Sequence, residues 1–173
     1  MIPGLEPIGL RDLRALDAPR RWELDGYLDQ LQSLTPVRGI VEAEHRGNVL
    51  AVAGSLRTIV TLCCDRCLNQ FNHQLSAQPN ELIWLGDAEP TDQDLQGSEH
   101  LDPQNGLVEW LDPRGPFDPQ QWAFEQLNLQ LPVVNHCGKD CPGPATLQST
   151  EPKPVDPRWS ALIQLQRSDR EKG

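Results

Sequence analysis

The sequence predicts an α+β protein that is mostly β: a β-rich antiparallel meander with a few short helices and a candidate four-cysteine metal knuckle. Three observations carry this expectation. Val, Ile and Thr recur through residues 37–64 in the pattern of half-buried strands. Arg46-Gly47-Asn48 interrupts that run with a hairpin turn whose glycine takes positive φ at little steric cost. Two closely spaced cysteine pairs, Cys64-Asp65-Arg66-Cys67 and Cys137-Gly138-Lys139-Asp140-Cys141, have 69 residues between them and together supply four soft ligands. At 173 residues the chain is long enough for one core and too short for two full-sized ones.

Taken in chain order, the N-terminus lacks a basic stretch followed by a long apolar one, and Glu6, Asp12 and Asp17 interleave with its arginines. Neither a secretory signal nor an organelle transit peptide is expected, and the expected compartment is cytoplasmic. From Trp22 to Leu34, Leu24, Tyr27, Leu28, Leu31 and Leu34 fall near helical spacing, predicting a short amphipathic helix ended by Pro36. Val37, Val41 and Ala43 lead into the hairpin turn, and Val49–Leu56 and Thr58–Cys63 read as two further antiparallel strands. Phe71–Leu75 and Glu81–Leu85 are shorter strands, giving a meander of about four or five. Asp118-Pro119-Gln120-Gln121 has the form of a helix start, with Asp118 as N-cap, Pro119 in the first turn and Gln121 to close a capping box. Asp156-Pro157 repeats that signal ahead of Trp159, Leu162, Ile163 and Leu165. The expected organisation is a domain over residues 1–145 with an acidic insertion at 87–118, then a proline-rich tether and short C-terminal helix over 146–173.

The formal net charge is −10 and the pI about 4.7, which excludes a broad basic face gripping phosphate backbones. The charge is local. Residues 87–118 hold nine acids (Asp87, Glu89, Asp92, Asp94, Glu99, Asp102, Glu109, Asp112, Asp118) against Arg114 alone, so 8 of the 10 net charges sit in 32 residues. No apolar run is long enough to cross a membrane as a helix.

A reducing compartment argues against disulfides for the five cysteines. The paired spacing points instead to a structural tetrahedral metal site, each pair supplying one edge, with the first pair at a strand end and Gly138 turning the second. Two other readings stand beside it: cysteines packed as small apolar residues, and a redox dithiol whose thiolate Arg66 would favour, although no thioredoxin-like βαβ pattern surrounds it. Cys63, next to Cys64 on the strand, should face the other way. His136 neighbours Cys137 and is read as a polar loop residue.

Phosphate-cradling glycine loops, H-E-x-x-H and G-x-S-x-G are all absent from the sequence. The acid pairs Asp92/Asp94 and Glu42/Glu44 have the composition of a hard-cation or acid–base site but fit a solvated face better. No enzyme is expected.

Several motifs together resemble the YceD family, the large ribosomal RNA subunit accumulation proteins, and in particular its cyanobacterial and plastid branch. They are Leu34-Thr35-Pro36-Val37-Arg38-Gly39, Thr58 to Leu62 running into Cys64-Asp65-Arg66-Cys67-Leu68, Glu81 to Leu85, Phe117-Asp118-Pro119, Leu131-Pro132 and Cys137 to Gly143. The resemblance spans roughly residues 20 to 145. It implies a non-enzymatic role in large-subunit (23S) ribosomal RNA accumulation and ribosome biogenesis. It also implies a metal, most simply structural zinc, on Cys64, Cys67, Cys137 and Cys141. Many bacterial relatives look to carry a further C-x-x-C knuckle, whereas Pro144-Ala145-Thr146 follows here, leaving four ligands rather than six.

The implied partner is a large ribosomal subunit precursor or a basic ribosomal protein, which the acidic stretch would attract. A local RNA contact is the rival: Arg38, Arg46, Arg57 and Arg66 would form a stripe near Phe71 or Trp84 if their strands align. A thiol-redox or metal-binding protein interaction module is the remaining alternative.

Overall fold

Alternation of apolar and polar side chains decides most of the architecture. The computed structural model describes residues 2–87 and 109–144. The chain divides into two compact units, Met1–Pro142 and Gly143–Gly173, and the elements below all belong to the first. In order they are β1 (Ile8–Gly9), α1 (Leu10–Arg14), β2 (Arg20–Gly26), β3 (Val37–Arg46), β4 (Val49–Cys63), β5 (Gln70–Ala77), β6 (Asn80–Leu85), β7 (Trp110–Leu111), β8 (Pro116–Phe117) and α2 (Pro119–Asn128). Most of the acidic insertion and all of the expected C-terminal helix lie outside the described residues.

The main sheet is organised around β4. One of its edges takes β3 antiparallel, from Arg38↔Arg57 to Arg46↔Val49, with the two-residue turn made by Gly47 (φ +68°) and Asn48. The other edge is shared: β5 pairs Leu56–Cys63 and β6 pairs Val49–Ala53. Both keep one register, so β5 and β6 form a single line broken at Gln78-Pro79, where Pro79 lacks an N–H but its carbonyl still accepts from Gly54 at 3.0 Å. β2 extends the sheet beyond β3, and β7 adds to β6 in parallel. β1 and β8 make a separate two-stranded ladder.

One face of this sheet is the core. Trp22 and Leu24 on β2, Val37, Val41 and Ala43 on β3, Val52, Leu56 and Val60 on β4, Leu75 on β5 and Ile83 on β6 are all buried. They are covered by Leu10 and Leu13 of α1, by Trp122, Ala123 and Leu127 of α2, and by Phe117, whose ring lies 6.1 Å from that of Trp22. Burying each of the Val, Leu, Ile and Phe side chains contributes about 1.5–3 kcal/mol. Two glycines are required by close approach. A Cβ on Gly39, at φ +155°, would stand 1.9 Å from the Ser55 carbonyl oxygen, and one on Gly54 would meet the Ile40 carbonyl and the Trp122 ring, each at 3.0 Å.

The strand-rich expectation holds, with three corrections. Residues 22–34 are not a helix: Trp22 and Leu24 alternate with exposed Glu23 and Asp25 in β2, and Leu28 and Leu31 are buried from the turn that follows. Val49–Leu56 and Thr58–Cys63 are one strand of 15 residues, because Arg57 is simply an outward position in unbroken alternation. Asp118 does cap α2, accepting from the N–H groups of Gln120 and Gln121 at 2.9 and 3.0 Å; the Gln121 side chain, however, donates forward to Glu125 rather than back to the cap. The short α1 is an addition to the expected elements, since its five residues are too few to show a helical period.

Candidate metal centre

The long β4 runs directly into the first cysteine pair. Residues 64–69 are the β4–β5 hairpin loop, closed by hydrogen bonds from Cys64 N–H to the Asn69 carbonyl and from Leu68 N–H to the Cys64 carbonyl, both at 2.9 Å. Leu68 takes φ +61° to complete the turn, and this tight curl brings Cys67 back beside Cys64. The second pair arrives on the segment after α2. Gly138 at φ +125° turns that backbone, and Cys141 N–H donates to the Gly138 carbonyl at 3.3 Å.

The four sulfurs converge. Cys64 and Cys141 Sγ stand 3.9 Å apart and Cys67 and Cys137 Sγ 3.6 Å apart, and all four lie within 4.8 Å of one another. A tetrahedron with Zn–S bonds of about 2.3 Å has S···S edges of roughly 3.8 Å, so the cluster already has the size of a tetrathiolate site. The separations are far beyond a disulfide's roughly 2 Å. Cys64 is fully buried and the other three are half-buried.

The electrostatics suit a cation. The backbone N–H of Cys67 points at the Cys64 sulfur and outweighs desolvation, with help from the N–H groups of Arg66 and Cys137, drawing that thiol down to about 6. Desolvation and then the sulfurs of Cys141, Cys67 and Cys64 push Cys137 up to about 12. At Cys67 the Asn69 N–H favours the thiolate, but desolvation and the neighbouring sulfurs leave its net shift upward. The shift at Cys64 favours a thiolate and those at Cys67 and Cys137 oppose one, a cost that a cation among the sulfurs would offset.

A backbone clamp holds the two pairs together without the sulfurs. Asn135 N–H donates to Asp65 Oδ2 at 2.7 Å, and Asp65 N–H donates to the Asn135 carbonyl at 2.9 Å. Sequence reasoning misses this clamp, although an Asp inside a tight turn, which commonly binds nearby backbone N–H groups, is a signal for half of it. Cys63 is exposed on the opposite side of the strand, its Sγ 3.3 Å from the Leu68 carbonyl. His136 is not one of the four converging groups; its Nδ1 accepts from Gly138 N–H at 3.3 Å.

Other expected site residues disperse. Glu42 and Glu44 are taken up by ion pairs with Arg21 and Arg46, and Asp92 and Asp94 lie outside the described residues. The four-arginine stripe does not form. Arg38 and Arg57 are direct cross-strand partners, but Arg46 lies at the far end of β3 bound to Glu44, and Arg66 sits in the cysteine turn. Trp84 shares a row with Val49 and hence with Arg46, whereas Phe71 is on the face of β5 that carries Leu75. Among the nine acids, Asp87 and Asp112 bind Arg114 and Asp118 caps α2. Glu109 leans on Glu81. The remaining five lie outside the described residues.

A hairpin tip and the segment after α2, brought together at four cysteines, define a β-domain with a cysteine cluster close enough to bind a metal ion. The family model described as "Large ribosomal RNA subunit accumulation protein YceD" matches residues 52–166, so the chain belongs to the YceD family. That match begins within β4 and includes both cysteine pairs. No curated protein and no solved structure matches the chain. No helix among the described residues is long and apolar enough to cross a membrane.

Proposed function

We propose that this protein is a non-enzymatic factor supporting accumulation and maturation of large-subunit ribosomal RNA. Family membership over residues 52–166 carries this reading. It acts in the cytoplasm on a precursor of the large subunit, where the five acids Glu89, Asp92, Asp94, Glu99 and Asp102 offer a complement to a basic ribosomal protein.

Cys64, Cys67, Cys137 and Cys141 hold a structural zinc ion. When bound, it supplies the charge that lets all four thiols ionise, and it fastens residues 135–141 to the β4–β5 hairpin. Zinc is favoured by the four-sulfur donor set and its tetrahedral dimensions. The Asp65–Asn135 clamp orients the two cysteine turns toward each other. The core of the sheet does not involve the cysteine cluster, so the metal organises the knuckle rather than the whole fold.

Depletion of the protein in cells, followed by measurement of mature large-subunit against small-subunit ribosomal RNA, tests the role. A selective fall in large-subunit RNA, restored by the wild-type chain, is expected. An unchanged ratio contradicts it.

A further inference from the structure

The outer face of the β4–β5 ribbon has chemistry that neither the core nor the cysteine cluster requires. Its rows run Arg57↔Ser76, Ile59↔Gln74, Thr61↔Asn72 and Cys63↔Gln70, and apart from half-buried Ile59 these positions are exposed. No carboxylate stands in these rows, although the chain as a whole carries −10. The eight residues of β5 extend this face over about 26 Å.

One end of the face is a basic groove. Arg38 and Arg57 are directly opposite across β3–β4, a placement that costs energy for like charges. Asp25 relieves Arg38 at 3.3 Å, but Arg57 makes no ion pair among the described residues. The two arginines, with Thr35, Pro36, Ile59 and Gln74, line a groove of about 340 Å³. Its rim is fixed: Thr58 Oγ1 donates to the Thr35 carbonyl at 2.8 Å and Ile59 N–H donates to Thr35 Oγ1 at 3.1 Å. The other end is the cysteine turn, where Arg66 is exposed. Between them lie side-chain amides and hydroxyls, including Gln70, Asn72 and Gln74, which both donate and accept.

We propose that this face binds single-stranded RNA, with a backbone phosphate in the Arg38–Arg57 groove and the following nucleotides laid along the amide rows toward Arg66. An anion in the groove relieves the repulsion that Asp25 leaves on Arg57. Groups that both donate and accept match sugar hydroxyls and base edges, whereas an acidic peptide presents carboxylates that need donors alone. The choice of RNA rests on the ribosomal RNA role proposed above. The protein's overall negative field makes the contact local and strongly dependent on salt.

The test is fluorescence anisotropy of the full chain with a labelled single-stranded oligoribonucleotide of about twelve nucleotides. Arg57→Glu, and separately the milder Arg57→Gln, should weaken binding, the former about tenfold, and reduce the slope of log affinity against log salt by about one. Arg46→Glu, on the same face but at the far end of β3, should leave affinity unchanged. Equal loss from Arg46→Glu, no loss from either Arg57 variant, or displacement of the RNA by polyglutamate at matched charge would each overturn the site. Unaltered RNA affinity in Arg57→Glu, with large-subunit RNA still falling on depletion of the protein, would remove this surface while leaving the family role standing. An unchanged RNA ratio on depletion would remove the role itself.

Discussion

Asp65 and Asn135 hold each other by a reciprocal pair of hydrogen bonds, 2.7 Å from Asn135 N–H to the Asp65 carboxylate and 2.9 Å from Asp65 N–H to the Asn135 carbonyl. The pair joins the β4–β5 hairpin to the segment after α2, within two residues of a ligand cysteine on each side. Groups that orient metal ligands from behind typically change affinity by about 10–100-fold when removed. Asp65→Ala should therefore still bind one metal ion per chain at saturation but lose it to a competing chelator at a roughly tenfold lower chelator concentration.

Adjacent cysteines should behave oppositely. Cys64 is fully buried within the cluster while Cys63 is exposed on the other side of β4. Cys63→Ser is expected to retain full metal content, and Cys64→Ser to lose it. Metal analysis of the two purified variants decides this, and equal retention by both would remove Cys64 from the ligand set.

Backbone crowding makes a different prediction. Gly39→Ala forces its new methyl against the Ser55 carbonyl, which belongs to the paired strand and has no room to move, at a φ of +155° that alanine avoids. Gly54→Ala meets one carbonyl and one indole ring at 3.0 Å, a contact that a small shift of Trp122 relieves in part. Urea midpoints should place Gly39→Ala about 3 kcal/mol below wild type and Gly54→Ala about 1 kcal/mol below it. The reverse order would mean that the β3–β4 approach is looser than described.

Stability should also fall as pH rises from about 4.5 toward neutrality. Partial desolvation of this surface carboxyl, followed by the nearby Glu81 and Glu125 carboxylates, pushes Glu109 up to about 7. Glu81 is itself held in place by the Trp122 indole N–H at 2.7 Å and the Gln126 amide at 3.0 Å. The folded protein therefore keeps a proton on Glu109 that the unfolded chain releases nearer 4.5. The resulting stabilisation is complete below that value and is lost as pH rises through about 7. Glu109→Gln should flatten this decline in urea midpoint between about pH 4.5 and 7; a variant profile that superimposes on wild type would contradict it.

The places where sequence reasoning succeeds and fails have physical causes. Hairpin chemistry at Gly47-Asn48, the Asp118 cap and the cysteine spacing are local signals, and each appears where the residues place it. Residues 22–34 mislead because two short patterns overlap: Trp22 and Leu24 follow a strand's alternation, while Leu28 and Leu31 turn back onto the core, and together they imitate a helical stripe. Arg57 looks like a break between strands because charge within an apolar run suggests a turn; one face of β4 is open to solvent, so the charge simply points outward. The convergence of two cysteine pairs is legible from spacing. The Asp65–Asn135 clamp and the Glu81–Glu109 contact are not, since each joins residues that only tertiary packing brings together.

The proposed function places a structural zinc ion on the four converging cysteines. Its most direct test is elemental analysis of anaerobically purified full-length protein, alone and as Cys64→Ser and Cys137→Ser. One zinc per wild-type chain and none in either variant is the expected result. Wild-type protein free of zinc and other metals, or carrying a Cys64–Cys141 or Cys67–Cys137 disulfide in its place, would contradict it.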